Sequence, residues 1–476
     1  MKNEKKGQNF FLTRALVDWA RGDFWTKITP IIWGAGYTGH GQFIKGLLAT
    51  IFEIVIIIFT YIVGVPYLQK FTTLGTVKRE TVYNPATMKN EVNDFDNSFL
   101  ILLFSVVTAA IIVAAFIILC NIISESRRLQ LRKAEGKHIN NFIEDIRDMF
   151  DSKFHITLLF LPCLGIILFT ILPIVFMILI AFTNYDQLHM PPSDLFTWVG
   201  TVNFKSVLNL GQSEAFGYAF WKILGWTLVW AFFATFTNYI GGILLSLFIN
   251  NKKTKFPKLW RTLFVIAIAV PQFVSLLLVR NFFAKSGIVN TYLSQWGVVD
   301  FLKNIGLVGQ QFTYVPFLTD PGWAKAMIII INIWIGVPYL MLIATGVLMN
   351  IPVDLYESAR IDGANAWQTF KKITMPYMLS VTGPYLITSF IGNINNFNVI
   401  YLLTNDVYVT VDTKMAQAHG QEVDLLVTWL YRLTNDYYNY KMASVIGILV
   451  FVVCTVFTLL AFNYTIRGDK EDEFKL

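Results

Sequence analysis

Eight stretches of this chain are apolar for roughly 20 residues or more, near 43–67, 99–123, 155–183, 219–249, 262–283, 323–349, 378–403 and 440–466. An α-helix rises about 1.5 Å per residue, so about 20 apolar residues match a hydrocarbon core about 30 Å thick. In lipid every backbone N–H and C=O must be satisfied internally, as it is within a helix. The pattern predicts an all-α integral membrane protein with about eight transmembrane helices. Composition agrees, with 55% hydrophobic and 14% charged residues, against about 25% charged in a soluble domain.

An even number of spans returns both termini to one side. Segments 1–42, 124–153, 250–261, 350–377 and 467–476 hold 24 Lys and Arg, against 9 in 68–98, 184–218, 284–322 and 404–438. The positive-inside rule therefore places the first set, with both termini, in the cytoplasm. The net charge of +7 is topological by this reading: the runs Asn251–Lys255 and Arg127–Lys137 face anionic headgroups, and nucleic acid is not expected as a partner. Residues 1–42 form a cytoplasmic or interfacial segment; its aromatics and glycines, among them Phe24, Trp25, Trp33 and Gly34, suit the membrane interface, and the amino terminus is expected to be retained. Glu53 lies within the first run without a basic neighbour in sequence and reads as a packing or interfacial residue. Cys120, Cys163 and Cys454 and the five histidines have neither disulfide nor metal-ligand spacing.

The loop 350–377 is the most informative segment. Pro352 can open a helix, Asp354 complements the dipole of its first turn, and Gly363 ends it. Asn365 and Gln368 have capping-box spacing, so a second short helix is expected to start at once and to stop at Pro376. Trp367, Phe370 and Ile373 give that helix an apolar side. Glu357, Ala359, Gly363, Ile373 and Pro376 fall in register with the pattern Glu-Ala-Ala, three residues, Gly, nine residues, Ile-x-Leu-Pro, with Ser358 and Met375 as departures. In these residues the chain resembles permeases of ATP-binding-cassette (ABC) importers. The resemblance implies a type I core of six spans over 155–466, two accessory helices over 43–123, and a coupling-helix loop at 350–377 that docks on an ATPase. No Gly-x-x-x-x-Gly-Lys-[Ser/Thr] phosphate loop occurs, so Mg-ATP must be bound by partner subunits; the chain itself carries no cofactor and no catalytic set.

Two spans are unusually polar. Asn332, Gly336 and Tyr339 stand at i, i+4 and i+7, and Ser389, Asn393 and Asn396 repeat that spacing, which puts each set on one helical face. Such faces turn toward protein or water, either as interhelical hydrogen-bond glue or as the wall of a path for a neutral, hydroxyl-rich solute. The stretches Asn-x-Trp-x-Gly-x-Pro-Tyr and Ser-Phe-x-x-Asn-x-Asn-Asn-Phe are similar to the larger permease subunit of maltose/maltodextrin importers. That resemblance implies sugar contact at Asn332, Gly336, Tyr339, Ser389 and Asn393. It also marks departures: Ile268 for a tyrosine, Gln272 for a serine at a substrate-binding position, and Gly392 for a phenylalanine.

The family implies a multi-pass protein of the bacterial cytoplasmic membrane. Its partners would be a second related permease, two ABC ATPases, and an extracytoplasmic solute-binding protein docking on 284–322 and 404–438, with Trp323 and Trp429 as contacts or interface anchors. The solute would be an oligosaccharide, maltodextrin first and galacto-oligosaccharide as the alternative. An ion-coupled secondary transporter is the competing class, and it would place ionisable residues at the midplane, where the last six runs hold no relay.

Overall fold

A computed structural model describes residues 11–85, 88–209, 214–251 and 253–473. The expectations for residues 1–10, Lys252 and 474–476 lie outside the described residues. The chain divides into two compact units, Met1–Gly200 and Thr201–Leu476. Among the described residues seven helices are long and apolar enough to cross a membrane, or up to eight counting one bent pair.

In the first unit the principal helices are α1 (Phe11–Ala20), α2 (Phe43–Lys70), α3 (Ser98–Ala134), α4 (Phe142–Phe150) and α5 (Phe154–Ile180). Asn97 caps α3, its side chain accepting from the N–H groups of Phe99 and Leu100. The 37 residues of α3 extend about 55 Å, well beyond the hydrocarbon core. Glu53 is buried on α2 and accepts the backbone N–H of Trp33 at 2.8 Å. It thus anchors the interfacial segment to the first span by satisfying an otherwise orphaned donor. A two-stranded antiparallel hairpin, β1 (Thr81–Asn84) on β2 (Lys89–Val92), interrupts the otherwise helical design between α2 and α3. Because α5 packs on α3, with Phe176 edge-on to Phe99 at 5.2 Å, the third span belongs to this unit. The packing boundary falls at 200.

In the second unit we label α6 (Ala215–Asn250), α7 (Pro257–Ala269), α8 (Gln272–Phe282), α9 (Pro321–Leu348), α10 (Val353–Ile361), α11 (Ala366–Thr369), α12 (Met375–Ile394), α13 (Asn398–Thr404) and α14 (Tyr440–Glu473). The core is built around α6, whose Trp226, Trp230 and Ala234 pack with Ile328 and Ile331 of α9 and with Val399, Ile400 and Leu403 of α13. The run expected to form one span over 262–283 is broken: α7 and α8 meet at 92°. Proline lacks an N–H and pushes the residue before it out of the helical region, and Val270 accordingly sits at φ −76°, ψ 125°. The halves, 13 and 11 residues, are about 20 and 16 Å long, so neither crosses the core alone. The run over 378–403 is interrupted only at 395–397, between α12 and α13, and stays within one candidate span, Ala366–Thr404.

Pro376 does not stop a helix as expected. A π turn at Phe370–Thr374 joins α11 to α12, and the helix continues through the proline. The same device precedes Pro66, at Thr60–Gly64, and Pro173, at Ile167–Ile171. Each wider turn ends two residues before its proline, where it relieves the ring's clash with the preceding turn and the loss of the N–H donor.

Candidate functional site: a broken-helix cavity and an exposed loop

The break at Pro271 opens a cavity of about 720 Å³ between α7, α8 and α9. Its polar wall is Gln272, Ser275 and Tyr339, and its aromatic wall is Trp260 and Trp334; Ile268 and Pro338 line it too, and no charged side chain does among the described residues. Trp334 and Tyr339 are 60% and 50% exposed, so ring faces and a phenol are available to a solute. Uncharged amide and hydroxyl groups beside flat apolar surfaces suit a sugar, whose hydroxyls pair with the first and whose ring faces stack on the second.

Of the residues expected to contact sugar, Tyr339 and Gln272 line this cavity, while the others are placed elsewhere. Asn332 is buried, and Gly336 lies against α6, where a Cβ on it would sit 2.3 Å from Asn238 Nδ2. Asn393 donates from Nδ2 to Thr235 Oγ1 at 3.0 Å and accepts Trp230 Nε1–H at its backbone carbonyl at 3.0 Å. Ser389 is half-buried on α12, one turn beyond Tyr385. In this conformation the two polar faces are therefore not opposite walls of one cavity: most of them close the seam between α6, α9 and α12. Sequence reasoning missed Asn238, whose Oδ1, like Asn332 Nδ2, is buried without a hydrogen-bond partner among the described residues. A lone asparagine in a long apolar helix was the available signal, since such a group must face protein or solute.

The loop after α9 forms a compact platform. Gly363 sits at φ +72°, a left-handed conformation that costs other residues about 1–2 kcal/mol. It turns the chain so that the N–H groups of Gly363 and Ala364 close onto the carbonyls of Arg360 and Ala359 at 3.2 and 2.9 Å. Asn365 and Gln368 then form the expected capping box, at 2.9 and 2.8 Å. Tyr356 OH and Thr374 Oγ1, 3.1 Å apart, fasten α10 to the root of α12. Glu357 and Ile373 stand exposed and half-buried, Ala359 half-buried and Pro376 exposed. Ile361 and Trp367 are 85% and 68% exposed, and Trp367 stacks on Phe370 at 5.7 Å. A rigid loop that leaves a tryptophan and an isoleucine uncovered presents an interaction surface.

The segment between α13 and α14 is held by carboxylates. Glu422 accepts from Tyr408 OH, Thr410 Oγ1 and the N–H groups of Val411 and Asp412. Asp412 in turn accepts from Lys222 Nζ at 2.7 Å and Tyr218 OH at 2.6 Å. These two hydrogen bonds, Lys222 first, hold the Asp412 carboxyl well below the ordinary carboxylate range. A group whose pKa is depressed by folding stabilises the fold above its ordinary pKa of about 3.9 and loses that contribution as pH falls through the folded value. Backbone hydrogen exchange over 405–425 is therefore expected to accelerate below about pH 4, and Asp412→Asn should bring the acceleration to neutral pH; unchanged exchange in the variant would refute this. Trp429 is fully buried, with its Nε1–H donated to the Ala418 carbonyl at 2.9 Å. It is a core residue here and not the surface contact expected, because its large ring finds a complete apolar site beside α6. Trp323 is half-buried and donates to the Leu307 carbonyl at 3.0 Å.

Residues 240–467 match the family model for the binding-protein-dependent transport system inner membrane component. The chain is 30% identical over 448 residues, 94% of its length and 96% of the relative's, to the maltodextrin transport system permease protein MalC of Streptococcus pneumoniae. It is 34% identical over 313 residues, 65% of its length and 70% of the relative's, to the galactooligosaccharides transport system permease protein GanP of Bacillus subtilis. In fold it is similar to a chain of a bacterial alginate ABC transporter crystallised with its alginate-bound periplasmic protein, at a TM-score of 0.51 and 24% identity over 67% of this chain and 96% of that one. The helical architecture, the match to the permease model and identity along nearly the whole of a maltodextrin permease lead to one conclusion: the chain is a multi-pass inner-membrane permease of the ABC importer class and belongs to the maltose/maltodextrin permease family.

Proposed function

We propose that this chain is the larger membrane subunit of an importer for a neutral oligosaccharide, maltodextrin first, with Tyr339, Gln272 and Trp334 meeting the sugar in the cavity at Pro271. The observation that carries the reading is the uncharged, aromatic lining of that cavity. Asn332, Gly336, Ser389 and Asn393 would join the site when α9 and α12 move relative to α6 during alternating access. A second related permease completes the translocation path, and of two ABC ATPases holding Mg-ATP one docks on 350–377 through Glu357, Ala359, Gly363 and the exposed Trp367, with Ile373 and Pro376 supporting the helix. A solute-binding protein delivers sugar from outside to 284–322 and 404–438. Both termini lie in the cytoplasm, as the distribution of Lys and Arg supports.

Galacto-oligosaccharide is the second reading, favoured by the identity to GanP and by the departures Ile268, Gln272 and Gly392, which alter the groups a maltodextrin permease of this family would offer. An aromatic contact is worth about 0.5–1.5 kcal/mol beyond its buried area, so Tyr339→Ala should raise the sugar concentration for half-maximal uptake about tenfold, with ATPase docking unchanged. Uptake by Tyr339→Ala indistinguishable from wild type for every oligosaccharide tested would remove Tyr339 from the site.

A further inference from the structure

The short helix α4 (Phe142–Phe150) has its polarity turned outside in. At about 100° per residue, Phe142, Ile143, Ile146, Met149 and Phe150 share one arc of about 120°, while Glu144, Asp145 and Asp148 occupy the opposite side. In a soluble surface helix the apolar arc would face the core. Here Ile143 and Phe150 are 76% and 69% exposed, and Ile146 and Met149 are exposed as well.

The carboxylate side, by contrast, is bound to the rest of the unit. Asp145 meets Lys45 Nζ at 3.3 Å and accepts from Gln42 Nε2 at 3.1 Å; Gln42 also donates to the Asn140 carbonyl at 2.9 Å. Asn140 Nδ2 donates to Asp148 at 2.9 Å, and Lys45 continues to Glu125 on α3 at 3.0 Å. A capping box, Asn141 with Glu144, fixes the start of the helix. Thr157 of α5 donates to the Met149 carbonyl at 2.7 Å and fixes its end. The orientation is thus set by hydrogen bonds at both ends and along one side, with the apolar arc directed away from the protein.

We propose that α4 is an interfacial helix embedded in one leaflet of the bilayer, with Ile143, Ile146, Met149 and Phe150 among the upper acyl chains and its carboxylates turned to the protein. Continuity with the membrane-facing surface identifies the occupant as lipid. The chain passes directly from α4 into the span α5, whose first turns expose Phe154, Ile156 and Leu158, so one apolar belt runs across both helices. Arg147, exposed at the edge of the arc, and Lys153, between the helices, are placed to meet phosphate headgroups, as basic residues flanking an interfacial helix do. On the topology proposed above this is the cytoplasmic leaflet, although burial of α4 in lipid does not depend on that assignment. The consequence is mechanical: the 124–153 segment is a strut that ties α2, α3 and α5 to the membrane surface.

Nitroxide labels at Ile143→Cys and Phe150→Cys test this, in a background of Cys120→Ala, Cys163→Ala and Cys454→Ala. The purified full-length complex would be reconstituted in phosphatidylethanolamine and phosphatidylglycerol vesicles, with Glu135→Cys as a solvent-exposed reference. Both target side chains are already exposed, so neither substitution removes a core contact. The expected result is high collision with oxygen and low collision with a water-soluble nickel chelate at 143 and 150, a ratio several-fold above that at 135. High nickel collision would show a solvated helix. Exclusion of both reagents would show a face covered by a partner subunit. Either outcome overturns the proposal.

Discussion

Gly363→Pro is expected to abolish sugar-stimulated ATP hydrolysis while leaving the permease folded in the membrane. Gly363 occupies φ +72°, whereas proline is fixed near −65° and has no N–H to give the Arg360 carbonyl, which Gly363 reaches at 3.2 Å. Proline also disfavours the helical conformation of the residue before it, and Asp362 sits at φ −70°, ψ 1°. The last turn of α10 and the capping box of Asn365 must therefore rearrange together, displacing Glu357 and Trp367 from the surface they present. Coupling free energies of about 1–3 kcal/mol correspond to roughly 5–150-fold, so stimulation should fall by up to about 100-fold. Among the described residues nothing lies within 4 Å of a Cβ at Gly363, so the defect should be confined to the loop. Gly363→Ala, which meets only the left-handed penalty of about 1–2 kcal/mol, should give an intermediate loss. Equal stimulation in all three proteins would show that the loop does not transmit closure.

Gly242→Val is expected to have the largest effect on stability. A Cβ at Gly242 would lie 2.6 Å from Leu340 Cβ, 2.8 Å from the Leu340 carbonyl carbon and 3.0 Å from Met341 N. Backbone atoms cannot rotate away, so α6 and α9 must separate. The adjoining core of Tyr239, Ile243, Leu340, Ala344 and Met378 would open with them. Overpacking typically costs about 1–3 kcal/mol, and more where the neighbour is backbone. Because α9 also carries Trp334 and Tyr339, sugar uptake should fail along with thermal stability. Gly346→Ala, at a site where a Cβ meets nothing within 4 Å among the described residues, should be neutral or slightly stabilising through better helix propensity. Thermal unfolding of the purified complex distinguishes the two.

The spans were legible because hydrocarbon thickness converts directly into a length of apolar sequence, and the loop at 350–377 because caps and a left-handed glycine are local. Bends were less so. Pro271 and Pro376 look alike in the sequence, yet one breaks its helix by 92° and the other is carried by a π turn. A wider turn at Phe370–Thr374 precedes Pro376 and carries the helix through it, whereas the helix before Pro271 is regular up to Ala269. The polar faces were ambiguous as well: an asparagine in a membrane helix must find a partner, and the pattern does not say whether that partner is another helix or a solute. Asn393 bonds Thr235, whereas Tyr339 lines the cavity. Trp429 was misplaced because a tryptophan in a loop between spans reads as an interface anchor until the core of that loop is seen. The resemblance to maltodextrin permeases supplied what periodicity could not, namely which loop to propose for coupling and which spans to propose for sugar contact.

The most direct test of the account is ATPase activity of the reconstituted complex, assembled with the proposed ATPase subunits, second permease and solute-binding protein, as maltodextrins, galacto-oligosaccharides and salts are presented in turn. The account predicts that one oligosaccharide class, together with the binding protein, raises hydrolysis, and that the rise is lost in Gly363→Pro. Uptake driven by an ion gradient, with no ATPase associated and no response to any oligosaccharide, would contradict it.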